Sequence, residues 1–145
     1  MIKLRFREGC DPSYQTEWSS GADLVASESL VIPARTTVKV PTGVWIESVL
    51  WDRIPAGFFP ELQVRARSGL AYKHGITLTN GVGTIDLDYP EEICVLLWNT
   101  KDADYSIAKG DRIAQLVLNM VARCVGLNVG GQRLGGFGST SQASL

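Results

Sequence analysis

The sequence predicts an all-β fold, a sandwich or a barrel, and three of its features carry this prediction. Short apolar or alternating segments recur roughly every 8–15 residues, as in proteins built from many short strands. Gly, Pro, Asn and Asp separate these segments and mark turns. The only helical candidate is one or two turns at 68–73, where Ser68 is expected to cap a short helix.

The strands can be assigned in order along the chain. Ile2, Leu4 and Phe6 alternate with basic residues, which is the pattern of a half-buried strand. The apolar run at 93–98 is continuous and predicts a strand buried on both faces. Further strands are predicted at 30–32, 36–40, 44–46, 62–64 and 112–121, and a long aromatic loop is expected within 45–57.

Length and composition narrow the possible functions. The 145 residues make one domain, and 45% hydrophobic with 20% charged residues is ordinary for a globular chain. A net charge of −1 argues against a nucleic-acid binder, which needs a basic surplus. No apolar run approaches the roughly 18 residues of a membrane helix, and residues 1–7 lack the apolar block of a signal peptide. We therefore expect a cytoplasmic protein with neither a membrane nor a nucleic-acid partner.

The cysteine and histidine content limits the possible metal sites. Three cysteines form an odd, widely spaced set that suggests no disulfide framework. His74 is the single histidine, so a zinc site built from Cys and His is not expected. Any metal is expected to be a hard cation held largely by oxygen atoms, some of them from the substrate.

The end of the chain is rich in glycine. Residues 126–145 contain one aromatic residue, Phe137, and cannot form a core of their own, so a flexible tail is expected after a β-domain at 1–125. One interpretation is a frayed tail. The other is a lid that grips phosphate, with glycine backbone N–H groups, the Ser139 and Thr140 hydroxyls and the Arg133 charge as donors.

Two further segments contain residue types suited to anions or cations. Asp23 ends a turn-like stretch, where an aspartate after glycine usually only marks the turn. Arg67, Ser68 and Gly69 combine a cation, a hydroxyl and a glycine ahead of the predicted helix, where anions bind well. A plain helix cap is the alternative for this second segment.

The stretch 80–89 has the largest concentration of candidate functional groups. Asp86 and Asp88 are two nearby carboxylates that can bind a cation or act as a base, although solvated surface aspartates are the commoner case. The glycines predict a bend or hairpin, which would let Asp86 and Tyr89 face one pocket. Further along, Gln115 lies within an apolar strand and needs a hydrogen-bonding partner if it is buried.

Five segments taken together resemble the motifs of the trimeric dUTPases (deoxyuridine triphosphate nucleotidohydrolases), in the same order. The resemblance spans residues 19 to 140, and the second, third and fifth segments are the specific ones. The segments are Gly21-Ala22-Asp23-Leu24, Arg67-Ser68-Gly69-Leu70, Gly83-Thr84-Ile85-Asp86-Leu87-Asp88-Tyr89, Gly110-Asp111-Arg112-Ile113-Ala114-Gln115-Leu116 and Gly135-Gly136-Phe137-Gly138-Ser139-Thr140.

The resemblance implies a jelly-roll-like (β-clip) fold, a homotrimer with active sites at subunit interfaces, and magnesium-dependent hydrolysis of dUTP to dUMP and pyrophosphate. Such an enzyme supplies dUMP and keeps uracil out of DNA. By the match, Asp86 activates the water that attacks the α-phosphorus, and Asp23 lies near the metal through water. The other implied contacts go to uracil (Asn80, Gly83, Thr84, Phe137), deoxyribose (Tyr89) and phosphate (Arg67, Ser68, Gly69, Gln115, Arg133, Gly138, Ser139, Thr140).

The chain departs from the family pattern at three places. Only Leu134 separates Arg133 from the glycine pair, Ala66 replaces a common proline, and Pro90-Glu91 replaces a common Arg-Gly. Two alternatives to an active dUTPase share its scaffold. One is a binding protein with little catalysis, which would need neither Asp86 nor the full tail. The other is a dCTP deaminase, whose relatives lack the 135–140 pattern.

Overall fold

The computed structural model describes residues 1–131 and 135–137, so Arg133, Gly138, Ser139 and Thr140 lie outside the described residues. Within these ranges the chain forms eleven strands and one α-helix, which confirms the predicted all-β class with one short helix, although four of the strands were not predicted. They are β1 (Ile2–Phe6), β2 (Ala22–Val25), β3 (Leu30–Ile32), β4 (Thr37–Pro41), β5 (Val44–Val49), β6 (Phe59–Ala66), α1 (Ser68–His74), β7 (Ile76–Leu78), β8 (Val82–Ile85), β9 (Cys94–Asn99), β10 (Tyr105–Ile107) and β11 (Arg112–Val121).

The strands pair antiparallel into four small sheets. A four-stranded sheet has the order β2-β11-β6-β8 and a three-stranded sheet the order β4-β9-β7, while β1 pairs with β5 and β3 with β10. Most neighbours in these sheets are distant in sequence, which is the connectivity of a jelly-roll-like β-fold. In the larger sheet, β11 brings β2 and β6 to its two sides and so places their chain ends close together.

The apolar faces of the sheets enclose one core. Leu24, Ile32, Val40, Val44 and Val95 are fully buried there. Strand β9 alternates between more and less buried positions, so the expectation that it is buried on both faces was wrong. The side chains on the less buried face of β9 are also apolar, so the sequence shows no alternation between apolar and polar residues.

Asn99 is a fully buried polar residue at the end of β9. Its Nδ2 donates to the carbonyl oxygens of Ile32 at 3.1 Å and Ala103 at 2.8 Å, and its Oδ1 accepts from the Lys101 N–H at 3.0 Å. The side chain thus pairs backbone groups that would otherwise be buried without partners. It ties β3 to the loop that follows β9.

Helix α1 begins directly after β6. Its N-cap residue is Arg67, which has an extended backbone and makes no side-chain capping bond, so the predicted Ser68 cap was wrong. The helix ends at Gly75, whose φ of 68° is left-handed and whose N–H donates to the Ala71 carbonyl. Glycine adopts this conformation without the steric penalty of a side chain.

The aromatic segment is more ordered than predicted. Strand β5 runs as far as Val49 and a 3₁₀ turn forms at Trp51–Arg53, so the loop covers less than the predicted 45–57. Trp45 lies on β5 beneath the guanidinium groups of Arg5 and Arg7, at 4.5 and 5.2 Å from its ring centre. No helix within the described ranges is long and apolar enough to cross a membrane.

Candidate active site

A cavity of about 150 Å³ lies beside β8, and we call it the β8 cavity. It brings together five of the predicted site residues: Asn80, Gly83, Thr84, Tyr89 and Phe137. Its remaining wall comes from Val64, Leu78, Ile85, Cys94, Val95, Leu96 and Gly136. A cavity of this size accommodates one six-membered ring.

Gly83 leaves room beside β8 for the Asn80 side chain. It lies opposite Val64 in the β6–β8 pairing. A Cβ at this position would come within 3.3 Å of the Val64 Cβ and 3.4 Å of the Asn80 Nδ2, both closer than ordinary contacts. The absence of a side chain therefore lets the Asn80 amide sit against the strand.

A turn follows β8, downstream of the two glycines on which the predicted bend rested. The Tyr89 N–H donates to the Asp86 carbonyl oxygen at 3.1 Å. Tyr89 is buried and lines the β8 cavity, and its hydroxyl lies 3.5 Å from Glu91 Oε2 and 3.4 Å from the Glu92 carbonyl oxygen. Asp86 is exposed and does not line the cavity, so the structure places the two residues on one turn but not in one wall.

The described part of the tail closes one side of the β8 cavity. A Cβ on Gly136 would lie 2.5 Å from Tyr89 Cε2 and 2.8 Å from its hydroxyl oxygen, so the tail backbone packs directly on the tyrosine ring. The Phe137 ring lies 5.3 Å from the Lys39 ammonium, within cation–π range. Phe137 remains about half exposed.

A second, cationic cleft opens at the start of α1. Among the predicted phosphate-binding residues it contains Arg67 and Gly69, and Ser68 lies between them as the first residue of α1. The other side chains of the wall are Leu70, Lys73, His74, Tyr105, Ile107, Asp111, Arg112 and Ile113. The cationic cleft and the β8 cavity have no lining residue in common within the described chain.

Asp23 lies beside the cationic cleft. Its carboxylate is 2% exposed and forms ion pairs with Arg67 at 3.3 Å and with Arg112 at 3.2 Å. Gln115 lies directly opposite Asp23 in the pairing of β11 with β2 and is half-buried. The structure therefore connects the first, second and fourth sequence motifs through one carboxylate.

Three basic residues of the cleft were not predicted as site residues. Arg112 belongs to the quoted fourth motif and follows Asp111 directly. Asp111 Oδ2 accepts from the Ala108 N–H at 2.9 Å within a turn, whereas Arg112 forms its ion pair with Asp23. Lys73 and His74 occupy the last turn of α1, three and four residues after Leu70, and only this helical spacing would have indicated a shared face.

Cys94 is a further residue of the β8 cavity that the sequence did not single out. Burial raises the pKa of its thiol above the ordinary value, and the nearby Glu92 carboxylate raises it further. The raised pKa keeps the thiol protonated and uncharged at neutral pH. Cys94 therefore contributes a neutral surface to the cavity wall.

The described residues contain no group of three or more His, Cys, Asp or Glu side chains able to hold a metal ion. Asp23 Oδ1 is nonetheless a buried oxygen without a hydrogen-bond partner among them, because its contact with Arg67 has ion-pair but not hydrogen-bond geometry. Such an atom is suited to accept a hydrogen bond from a metal-bound water.

Comparison with known proteins gives one consistent result. A family model described as dUTPase matches residues 7–140. The deoxyuridine 5'-triphosphate nucleotidohydrolase of Rhizobium meliloti (strain 1021) is 42% identical over 150 residues, which cover 97% of this chain and 89% of that protein.

Solved structures agree with this result. The crystal structure of dUTPase from Streptococcus mutans superposes with a TM-score of 0.73 and 27% identity, covering 85% of this chain and 98% of the other. A mutant dUTPase from phage phi11 of S. aureus, described as coordinating a structural Mg(II) ion, shares the fold with a TM-score of 0.70 and 19% identity, covering 89% of this chain and 96% of the other.

Proposed function

Because this chain belongs to the dUTPase family, we propose that it is a dUTP diphosphatase, which hydrolyses dUTP to dUMP and pyrophosphate. The observation that supports this most directly is the pairing of two different sites. The β8 cavity has the volume of a single six-membered ring, and the separate cationic cleft carries Arg67, Lys73 and Arg112. A pyrimidine nucleotide presents these same two parts, a small flat ring and a charged phosphate chain.

Uracil is the base that this cavity suits. The Asn80 amide and the backbone at Gly83 offer donors and acceptors to the edge of the ring, while the apolar wall packs on its faces. Cytosine would leave some of these groups unpaired, at roughly 1–3 kcal/mol each. Thymine would need room for its methyl group, and a filled wall rejects an added methyl by overlap. Tyr89 would pack on deoxyribose and leave no space for a 2′-hydroxyl.

Asp86 is the proposed base that activates water. Its position on the turn between β8 and Tyr89 keeps the carboxylate exposed and next to the β8 cavity. An aspartate carboxylate can accept a proton from a water molecule aligned with the α-phosphorus. The proton passes to the carboxylate as the water oxygen attacks, and pyrophosphate leaves.

The phosphate chain is assigned to the cationic cleft. A triphosphate carries about four negative charges, which repel an attacking oxygen unless cations neutralise them. Arg67, the backbone of Ser68 and Gly69, and Gln115 on β11 are the proposed contacts. Arg133, Gly138, Ser139 and Thr140 are predicted to add contacts from the tail.

The residues around Asp23 are compatible with a magnesium ion that binds together with the nucleotide. No preformed cluster of protein ligands is needed when phosphate oxygens and water fill the coordination shell, as magnesium prefers. The buried Oδ1 of Asp23 would accept a hydrogen bond from a water of that shell. Bound in this way, the ion would withdraw charge from the phosphates and stabilise the leaving pyrophosphate.

A homotrimer with active sites between subunits is the proposed assembly. Two observations support it. The β8 cavity and the cationic cleft have no lining residue in common within the described chain, so the cavity of one subunit can form a site together with the cleft of another. In addition, Val125, Leu127 and Val129 alternate after β11 and are 96%, 70% and 80% exposed. Alternating apolar side chains at this exposure are typical of a segment that is buried against another chain.

The tail is proposed to act as a lid beyond a β-domain at 1–125. The described residues after β11 form no helix or strand, and Gly136 and Phe137 reach the β8 cavity. Phe137 would stack over the bound uracil. Closure would exclude bulk water and order the phosphates only when substrate is present.

The test is to incubate the full-length protein with magnesium and each dNTP separately, measuring pyrophosphate and ammonia. The proposal expects pyrophosphate from dUTP alone. Ammonia from dCTP would identify a deaminase instead. Neither product, together with tight binding of dUTP, would identify a binding protein on this scaffold.

A further inference from the structure

Asp23 holds two arginine side chains at the edge of the cationic cleft. Its Oδ1 lies 3.3 Å from Arg67 Nε and its Oδ2 lies 3.2 Å from Arg112 Nη1. The carboxylate itself is 2% exposed, whereas the Arg67 and Arg112 side chains are 26% and 48% exposed. Each oxygen thus faces a different guanidinium group, and both guanidinium groups remain partly open to the cleft.

Further contacts fix the geometry of this cluster. Arg67 Nη1 donates to the Arg112 carbonyl oxygen at 2.9 Å, and Arg112 Nη1 also donates to Gln15 Oε1 at 2.9 Å. The Asp23 N–H donates to the Ser13 carbonyl oxygen at 2.8 Å, which anchors the backbone beneath the carboxylate. The position of the carboxylate is therefore set by the sheet.

The charges explain what the carboxylate achieves. Two guanidinium groups that share one partner repel each other, and a buried unpaired carboxylate would be strongly unfavourable. Together, Arg67, Arg112 and Asp23 carry a net charge of +1, so the cluster is held together and still attracts an anion. Lys73 lines the same cleft and adds a further positive charge.

We infer that Asp23 is a positioning residue for the phosphate chain of the substrate: it holds Arg67 and Arg112 side by side in the orientation that binds phosphate. This role rests on the proposed function and assigns Arg112 to the phosphate site with Arg67. It does not require a metal ion. It therefore adds a second role for Asp23 to the water-mediated magnesium contact.

The two roles separate in the absence of metal. In EDTA, a residue that acts only through magnesium has no influence on nucleotide affinity. A residue that orients arginines retains its influence, because the guanidinium groups contact phosphate oxygens directly. Deoxyuridine, which has no phosphate, provides an internal reference because a disrupted fold would weaken its binding as well.

The experiment measures binding of α,β-imido-dUTP and of deoxyuridine to the full-length protein in EDTA, by calorimetry or ligand-detected NMR. For Asp23→Asn we expect the imido-dUTP affinity to fall about tenfold, as when one charge-assisted hydrogen bond is lost, with deoxyuridine affinity unchanged. Asp102→Asn is the matched control, since Asp102 also pairs with an arginine but at an exposed site. An unchanged imido-dUTP affinity for Asp23→Asn would overturn the inference.

Arg67→Met separates this inference from the proposed function. If Arg67→Met leaves imido-dUTP affinity unchanged, the assignment of the phosphate chain to the cationic cleft fails. If Arg67→Met weakens binding and Asp23→Asn does not, only the positioning role fails. The double variant is expected to lose less affinity than the sum of the two single losses, because Asp23 acts partly through Arg67 and partly through Arg112. A fully additive loss would contradict the mechanism.

A measurement on the unmodified protein covers the case in which Asp23→Asn does not fold. The Arg67 Nε–H signal in ¹⁵N-edited NMR, assigned by its loss in Arg67→Lys, reports exchange with water. Because it faces the buried Asp23 carboxylate at ion-pair distance, this proton is expected to exchange at least tenfold more slowly than that of the exposed Arg53. Equal exchange rates would overturn the positioning role.

Discussion

Replacing Gly136 by alanine tests whether the tail closes directly on Tyr89. The new Cβ would lie 2.5 Å from Tyr89 Cε2, 2.8 Å from the hydroxyl oxygen and 3.1 Å from Cζ. Ordinary contacts between carbon atoms are about 3.5–4.0 Å, so the tail must retreat by about 1 Å. Tyr89 cannot yield easily, because it is 8% exposed and packed into the cavity wall.

A displacement of this size is large for a lid. Misplacing a catalytic contact by about 1 Å lowers rates by up to about a hundredfold, so we expect kcat/KM for dUTP to fall between tenfold and a hundredfold. The melting temperature should not change, since Gly136 lies outside the hydrophobic core. Pyrophosphate release measures the rate, and a thermal melt checks the fold.

The same tail offers a matched control. A Cβ on Gly131 would meet no atom within 4 Å, so Gly131→Ala changes chain flexibility without introducing an overlap. We expect this variant to retain the unmodified kcat/KM. Full activity of Gly136→Ala, or equal losses in both variants, would refute direct packing of the tail on the tyrosine.

Three further predictions concern stability and reactivity. Asn99→Ala should lower the free energy of unfolding by about 3 kcal/mol, because buried carbonyl groups lose their donor, and a chemical denaturation series showing no loss would contradict this. Gly43→Ala should destabilise by about 1–3 kcal/mol because its φ is 71° and the new Cβ would lie 2.8 Å from Cys10 Sγ. Gly57→Ala has a similar φ of 84° but meets no atom, and an equal loss there would exclude the overlap as the cause. Cys94 should react slowly with iodoacetamide at neutral pH and faster as the pH rises towards its raised pKa. Mass spectrometry of the alkylated protein should show that the exposed Cys124 reacts before Cys94.

Local sequence patterns predicted the features that depend on neighbouring residues. The alternation of Ile2, Leu4 and Phe6 identified β1 because the period of a strand is visible within a few residues. Likewise, Asn80, Gly83 and Tyr89 belong to one short stretch of chain, so their shared cavity follows from a single motif. The short helix was also predicted, although from Ser68 as its expected cap and not from the glycine that follows it.

The features that were missed depend on contacts between distant segments. Asp23, Arg67 and Arg112 meet because β11 lies between β2 and β6, and no local pattern reveals that order of strands. Arg112 was therefore not predicted as a site residue. Ser68 failed as a cap for a related reason: the chain enters α1 straight from β6, so Arg67 occupies the capping position and its side chain pairs with Asp23.

The central claim is that Asp86 delivers water to the α-phosphorus of dUTP, and a single variant tests it most directly. Asp86→Asn removes the base but keeps the shape, and Asp88→Asn two residues away provides the control. We measure imido-dUTP affinity and single-turnover pyrophosphate release with magnesium. We expect near-normal affinity with turnover reduced by about 10²–10⁴ for Asp86→Asn, and near-normal turnover for Asp88→Asn. Unreduced turnover by Asp86→Asn would contradict the claim.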